Sequence, residues 1–324
     1  MKHWIQAARL RTLPLSLSGI LLGCFYAMSQ GIFNWKIVLF ALSTTLGLQI
    51  LSNFANDYGD GIKGTDNEDR VGPKRAIQSG IISPVSMRYA IFITGFLTLV
   101  SAMLLIYSSF KGKYLIYSLV FFVLGILAIA SAVRYTVGKN AYGYRGYGDI
   151  FVFIFFGLVS TIGVYFMFTK QLDWLLFLPA TAIGLLSVGV LNLNNMRDEE
   201  SDRRSNKNTL VVKNGGLWAK KYHFVIIILA MVLMLLFAII FDLSFRDPHS
   251  DQFNFDIYFF LIAYYPIIMH LKRVYNNKDH RLLDPELKKL ALSTFLLTIL
   301  LSLSLIYFIS DFLIFNTSPI SLHN

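Results

Sequence analysis

The sequence holds a single cysteine, Cys24, among 324 residues, which excludes any intrachain disulfide framework. Histidine is almost as scarce: the six, at 3, 223, 249, 270, 280 and 323, are scattered and form no zinc-binding spacing. Charged residues make up only 15%, against about 25% in soluble domains. With 55% hydrophobic residues and a mean hydropathy of +0.57, the balance excludes an ordinary soluble domain and points to an integral membrane protein. No GxSxG elbow, Walker lysine loop or haem motif occurs. Acidic residues are also outnumbered, 19 against 29 Lys and Arg, for a net charge of +10. In a soluble protein that excess would suggest a nucleic-acid partner; in a membrane protein it reports basic cytoplasmic loops, so no nucleic acid is expected.

Apolar runs of spanning length, about 17–25 residues, lie near 13–29, 36–56, 86–108, 114–133, 149–169, 174–196, 222–241, 256–271 and 289–310. They predict an all-α bundle of nine transmembrane helices. The eighth run is the weakest, being short and carrying Pro266, and eight spans with a re-entrant segment is the alternative. With the N-terminus inside, 24 of the 29 Lys and Arg fall on cytoplasmic segments, leaving only Lys36, Lys111, Lys113, Lys170 and Arg246 elsewhere. This asymmetry supports nine spans, since losing one would scramble the alternation. The opening MKHWIQAARLR has the charge order of a signal peptide, but the apolar run from Leu13 to Ser29 is long for one, so it is read as retained. Residues 1–324 are expected to form one polytopic membrane domain.

Two acidic stretches interrupt this pattern. LSNFANDYGDGIKGTDNEDR, from Leu51 to Arg70, ends an apolar run in five acidic residues within thirteen positions. Helical spacing puts Asn53, Asp57 and Asp60 on one face, with Asp66 and Asp69 beyond Gly64. About 140 residues later, LNLNNMRDEESDRR sets Asn195, Asp198 and Asp202 on one face, again at the end of an apolar run. One such loop reads as solvated surface; two on one membrane face read as a site, because clustered carboxylates repel and normally hold hard cations.

Basic residues lie close by: Arg75, Arg203, Lys207, and Arg134, Lys139 and Arg145 in SAVRYTVGKNAYGYRGYGD. Tyr135 and Lys139, four apart at the membrane edge, suit an anion held by the carboxylates. Interleaved acids and bases fit a metal-bound polyanion, with Asp on Mg²⁺, Mg²⁺ on phosphate oxygens, and Lys or Arg neutralising the remainder. A phosphate ester at a membrane face is the substrate class inferred.

The N-x-x-x-D-x-x-D cluster after span two, D-x-x-x-D after span six, Tyr-x-x-x-Lys between spans four and five, and nine spans together resemble the UbiA-type intramembrane aromatic prenyltransferases. The resemblance covers nearly the whole chain and is strongest to the menaquinone branch, in RLRTLP, NDYGDGIKGTD, GYRGYGDIFVFIFFGLVSTIGVYF and LNLNNMRDEESDRRSNKNTLVV. Asp149 departs from the Glu expected in that branch. The resemblance implies a bundle around a central cavity, open to the cytoplasmic face and sideways to lipid, in the inner (cytoplasmic) membrane. It implies transfer of a prenyl chain from a polyprenyl diphosphate to an aromatic acid, 1,4-dihydroxy-2-naphthoate, with loss of CO₂. Asp57, Asp60 and Asp66 on one side and Asp198 and Asp202 on the other would hold Mg²⁺; the first cluster reads D-x-x-D-x-x-x-x-x-D where many relatives have D-x-x-x-D, so the choice of two or three ligands among Asp57, Asp60, Asp66 and Asp69 stays open. Asp57, Asp60, Asp198 and Asp202 would be catalytic through that metal. Asn53, Arg75, Tyr135, Lys139, Arg145, Asn195 and Lys207 would contact the diphosphate. The rival readings are another acceptor, such as 4-hydroxybenzoate or homogentisate, or an ion-coupled transporter.

Overall fold

A chain this apolar must satisfy its backbone internally wherever it crosses lipid, and helices do so within each segment. A computed structural model of the chain describes residues 2–65, 72, 74–245 and 255–317, excluding the side chains at 11, 245 and 308–317. Among these residues there are helices and no strands. The long helices are α1 (Leu13–Ser29), α2 (Trp35–Ile62), α3 (Pro84–Phe110), α4 (Leu115–Arg134) and α5 (Gly148–Thr169), followed by α6 (Phe177–Arg197), α7 (Gly216–Phe245), α8 (Phe255–Asn276) and α9 (Asp284–Thr317). The eight from α2 onward are long and apolar enough to cross a membrane; α1, of 17 residues and preceded by the bent-away helix Lys2–Ala8, is the ninth candidate.

Local chemistry sets the ends. Asn34 caps α2 by accepting from the Lys36 N–H at 3.0 Å, and Ser83 caps α3 with Pro84 following, where no N–H is needed. Pro266, the reason to doubt the eighth span, falls in the first turn of its α-helical part, Tyr264–Asn276, after a 3₁₀ stretch over Phe255–Ala263. There its missing N–H costs nothing, and the span survives.

The last helix packs on the first, which closes the bundle, while α2 pairs with α3 and α6 packs against α5, α7 and α9. α6 is the most enclosed span; small residues let it be, since a Cβ on Gly157 of α5 would come within 2.7 Å of both the Ala180 carbonyl oxygen and Gly184 Cα. By contrast α4 has no buried residue and faces outward. Two of the scattered histidines meet: His223 Nε2 lies 2.9 Å from His270 Nε2, whose Nδ1 is 2.8 Å from Glu286 Oε2, a buried chain tying α7, α8 and α9.

Candidate active site

Helix α2 runs unbroken past Asn53, Asp57 and Asp60 and buries all three, as the spacing predicts. Their partners differ. Asn53 Nδ2 donates to the Ala8 carbonyl at 2.8 Å, tying down the N-terminal helix. Asp57 accepts the N–H groups of Ala76 at 3.1 Å and Ile77 at 3.3 Å, ordering the returning loop. Asp60 accepts from Arg75 Nη1 on Oδ2 and from the Tyr144 hydroxyl on Oδ1, both at 2.8 Å. Asp66 and Asp69 lie outside the described residues.

At the end of α6 the expected shared face divides. The α-helix stops at Arg197, and Asp198 forms the joint to a short helix, Glu199–Arg204. Arg197 donates to Asp198 through Nε at 2.8 Å and Nη2 at 2.6 Å, and also to Asn194 and, from α9, Asp284. Asp202, in contrast, faces Lys207, 3.3 Å away. The two carboxylates thus belong to different pairs, because the guanidinium beside Asp198 is anchored by a helix that local spacing does not reveal.

Lys207 stands between the two acidic segments. Its Nζ is 3.3 Å from Asp202 Oδ1 and 3.9 Å from Asp60 Oδ2, and the residue is only 5% exposed. Burial alone would lower its pKa, but Asp202 and Asp60 outweigh that and hold the ammonium above its usual range. For Asp202 burial dominates and pushes the carboxyl up to about 6 despite Lys207. Burial likewise pushes the Tyr135 phenol up to about 12.

The loop after α4 closes over this cluster. Thr136 Oγ1 donates to the Ala55 carbonyl at 2.9 Å, where Gly59 permits the approach: a Cβ there would lie 2.6 Å from that hydroxyl. Lys63 donates to the Thr136 carbonyl at 2.7 Å and sits 3.8 Å above the Tyr144 ring. From the other side, Asn208 N–H bonds the Tyr144 carbonyl at 3.0 Å and Lys213 Nζ the Arg145 carbonyl at 2.7 Å. Tyr144 and Lys63 were not anticipated as site residues; the only sequence signal was tyrosine repeated between glycines in GYRGYG.

Two expected diphosphate contacts are not brought in. Lys139 is exposed and makes no ion pair with a described carboxylate, because α4 ends at Arg134 and the turn through Gly138 (φ +93°) breaks the four-residue register with Tyr135. Arg145 is exposed and donates to Asn140, leaving Tyr144 rather than Arg145 at the carboxylates. Asp149 is buried and accepts from the Tyr222 hydroxyl at 3.0 Å.

Among the described residues no three His, Cys, Asp or Glu side chains converge on one metal position. The donor set nevertheless fits Mg²⁺. Asp202 Oδ2 and Asn195 Oδ1 are buried oxygens without a hydrogen-bond partner, and such hard donors are what this ion takes.

The fold defines a class, the polytopic helical membrane proteins. The model of the UbiA prenyltransferase family matches residues 16–246, and the chain belongs to that family. It is 38% identical to the 1,4-dihydroxy-2-naphthoate octaprenyltransferase of Haemophilus influenzae over 94% of this chain and 96% of that one. To the enzyme of the same name in Escherichia coli it is 43% identical over 72% and 75% of the two chains. A solved structure of a UbiA homolog from Archaeoglobus fulgidus bound to DMAPP and Mg²⁺ shares the fold at a TM-score of 0.57, with 14% identity, over 90% of this chain and 98% of that one.

Proposed function

We propose that this chain transfers a polyprenyl group from an allylic polyprenyl diphosphate to 1,4-dihydroxy-2-naphthoate, with loss of CO₂, to give demethylmenaquinone. The observation that carries the reading is the meeting of Asp60 and Asp202 across Lys207, which gathers two acidic segments and three cations, Lys63, Arg75 and Lys207, at one end of an apolar bundle. The identity to enzymes named for that reaction supports the acceptor.

Asp57, Asp60, Asp202 and, once released from Arg197, Asp198 would hold Mg²⁺, with Asp66 completing the set. The metal would withdraw charge from the diphosphate, making it a better leaving group. Arg75 and Lys207 would stay with the departing anion, and Tyr135 and Tyr144 would donate hydrogen bonds to it. The apolar helices would shield the allylic cation from water until the electron-rich ring attacks. We further take residues 1–324 as one domain in the inner membrane, with the N-terminus and a laterally open cavity on the cytoplasmic side.

The test is prenyl transfer by the purified protein in detergent, offering 1,4-dihydroxy-2-naphthoate and 4-hydroxybenzoate side by side. Product from the naphthoate alone, lost on adding EDTA, is expected. Product from 4-hydroxybenzoate alone would overturn the acceptor, and diphosphate release unaffected by EDTA would overturn the metal.

A further inference from the structure

Away from the carboxylates, α7 and α8 enclose a groove of about 640 Å³ on the outer side of the bundle. One wall runs from Phe224 to Leu235 on α7, the other from Tyr264 to Tyr275 on α8. Each wall rises about 17 Å at the helical pitch, roughly half of a hydrocarbon core of about 30 Å. The groove therefore matches one leaflet in length. Towards its inner end the Tyr264 hydroxyl donates to the Met231 carbonyl at 2.5 Å, tying the two walls together. Its outer end lies on the same side of the membrane as the candidate active site, because Lys220 at the start of α7 donates to the Asn277 carbonyl just past α8, and Asp284 then meets Arg197.

Charge is confined to that outer end. The lining is otherwise apolar, but Lys272 borders it there beside the exposed ring of Tyr275. Lys221 lies one turn before Phe224 on the same helical stripe. Both lysines are exposed, and neither makes an ion pair with a described carboxylate; Arg273 and Lys289, by contrast, both engage Glu286. An apolar slot one leaflet in length, with unneutralised lysines and an aromatic ring at the interface, has the chemistry of a lipid with a negative head.

We propose that this groove binds an anionic phospholipid of the leaflet on the active-site side, with an acyl chain between α7 and α8 and the phosphate between Lys221 and Lys272. The stems of the two lysines follow the apolar wall while their ammonium groups reach the headgroup. This site is separate from the prenyl-transfer reading and stands or falls without it.

The experiment is native mass spectrometry of the delipidated protein offered equal amounts of phosphatidylglycerol and phosphatidylcholine. Wild type should retain one phosphatidylglycerol per chain in preference by about thirtyfold, the sum of two lysines near an anionic lipid, and the preference should decline as salt is raised. Lys221→Glu with Lys272→Glu should abolish the preference. Ile228→Trp, which fills the slot, should reduce retention of both lipids. Gel filtration and circular dichroism establish that the variants are folded, and the wild-type salt series needs no variant. Equal retention of the two lipids by wild type, or undiminished preference in the folded double variant, would overturn the proposal.

Discussion

Lys207 Nζ lies 3.3 Å from Asp202 Oδ1 and 3.9 Å from Asp60 Oδ2, joining residues from the ends of two different helices through one buried cation. Removing one partner of a buried ion pair leaves the other charge uncompensated, at about 3–5 kcal/mol. Arg75 still accompanies Asp60, so Lys207→Met should cost about 3 kcal/mol, at the low end of that range. The thermal midpoint in metal-free detergent measures this, and Lys207→Arg should lose much less. An unchanged midpoint in Lys207→Met would deny the lysine its bridging role.

Asp202 should leave a signature in the pH dependence of stability. Burial raises its pKa to about 6, whereas in the unfolded chain it titrates near 4. The folded state therefore binds the proton at higher pH, and this group's contribution to stability rises as pH falls from about 6 towards 4. The midpoint of the metal-free wild type relative to Asp202→Asn should increase between about pH 7.5 and about pH 5. A constant difference would show that Asp202 is already ionised throughout.

Tyr144→Phe removes a hydroxyl bonded to Asp60 at 2.8 Å and to Thr65 at 2.6 Å. The loss should be about 1.5–3 kcal/mol, the value of a hydrogen bond to a charged group. A rise in KM for the polyprenyl diphosphate should accompany it if the phenol also meets substrate.

Gly59→Ala places a methyl 2.6 Å from Thr136 Oγ1 and 2.8 Å from the Thr136 carbonyl carbon. The hydroxyl can rotate away, but the backbone carbon cannot, so α2 and the loop after α4 must separate. We expect about 1–3 kcal/mol of destabilisation, whereas Gly64→Ala should act through its backbone strain (φ +70°) without a clash.

Arg75→Ala and Lys139→Ala should differ. Arg75 is held against Asp60 at 2.8 Å, while Lys139 is exposed in the loop after α4. KM for the diphosphate substrate should rise severalfold in the first and little in the second. The reverse order would mean that the loop after α4 rearranges on binding and restores the role that the four-residue spacing suggests.

The helices were legible because hydropathy over spanning length is a local property, and the basic residues that flank each run record which ends share a face. Asn53, Asp57 and Asp60 were legible for the same reason: α2 continues to Ile62, so the 3.6-residue period holds through all three. Where a helix stops, the period loses its authority. Lys139 follows the end of α4 and is exposed, and Asp198 sits at the joint after α6 and pairs with Arg197, neither of which the helical period shows. Tyr144 was missed because the glycine and tyrosine repeat of its loop does not set it apart from Tyr142 or Tyr147; its importance comes from Asp60, 84 residues away.

By itself the sequence determined an all-helical membrane chain, its span order and two acidic segments at the ends of α2 and α6, since length, hydropathy and helical period are properties of neighbouring residues. Only the tertiary structure decided which groups pair. Lys207 bridges Asp60 and Asp202, Arg197 takes Asp198 with help from Asp284, and Asn53 turns to the Ala8 carbonyl. Each of these involves a residue brought in by the closing of the bundle. Charge interaction depends on distance and on exclusion of water, and neither exists until the helices have packed.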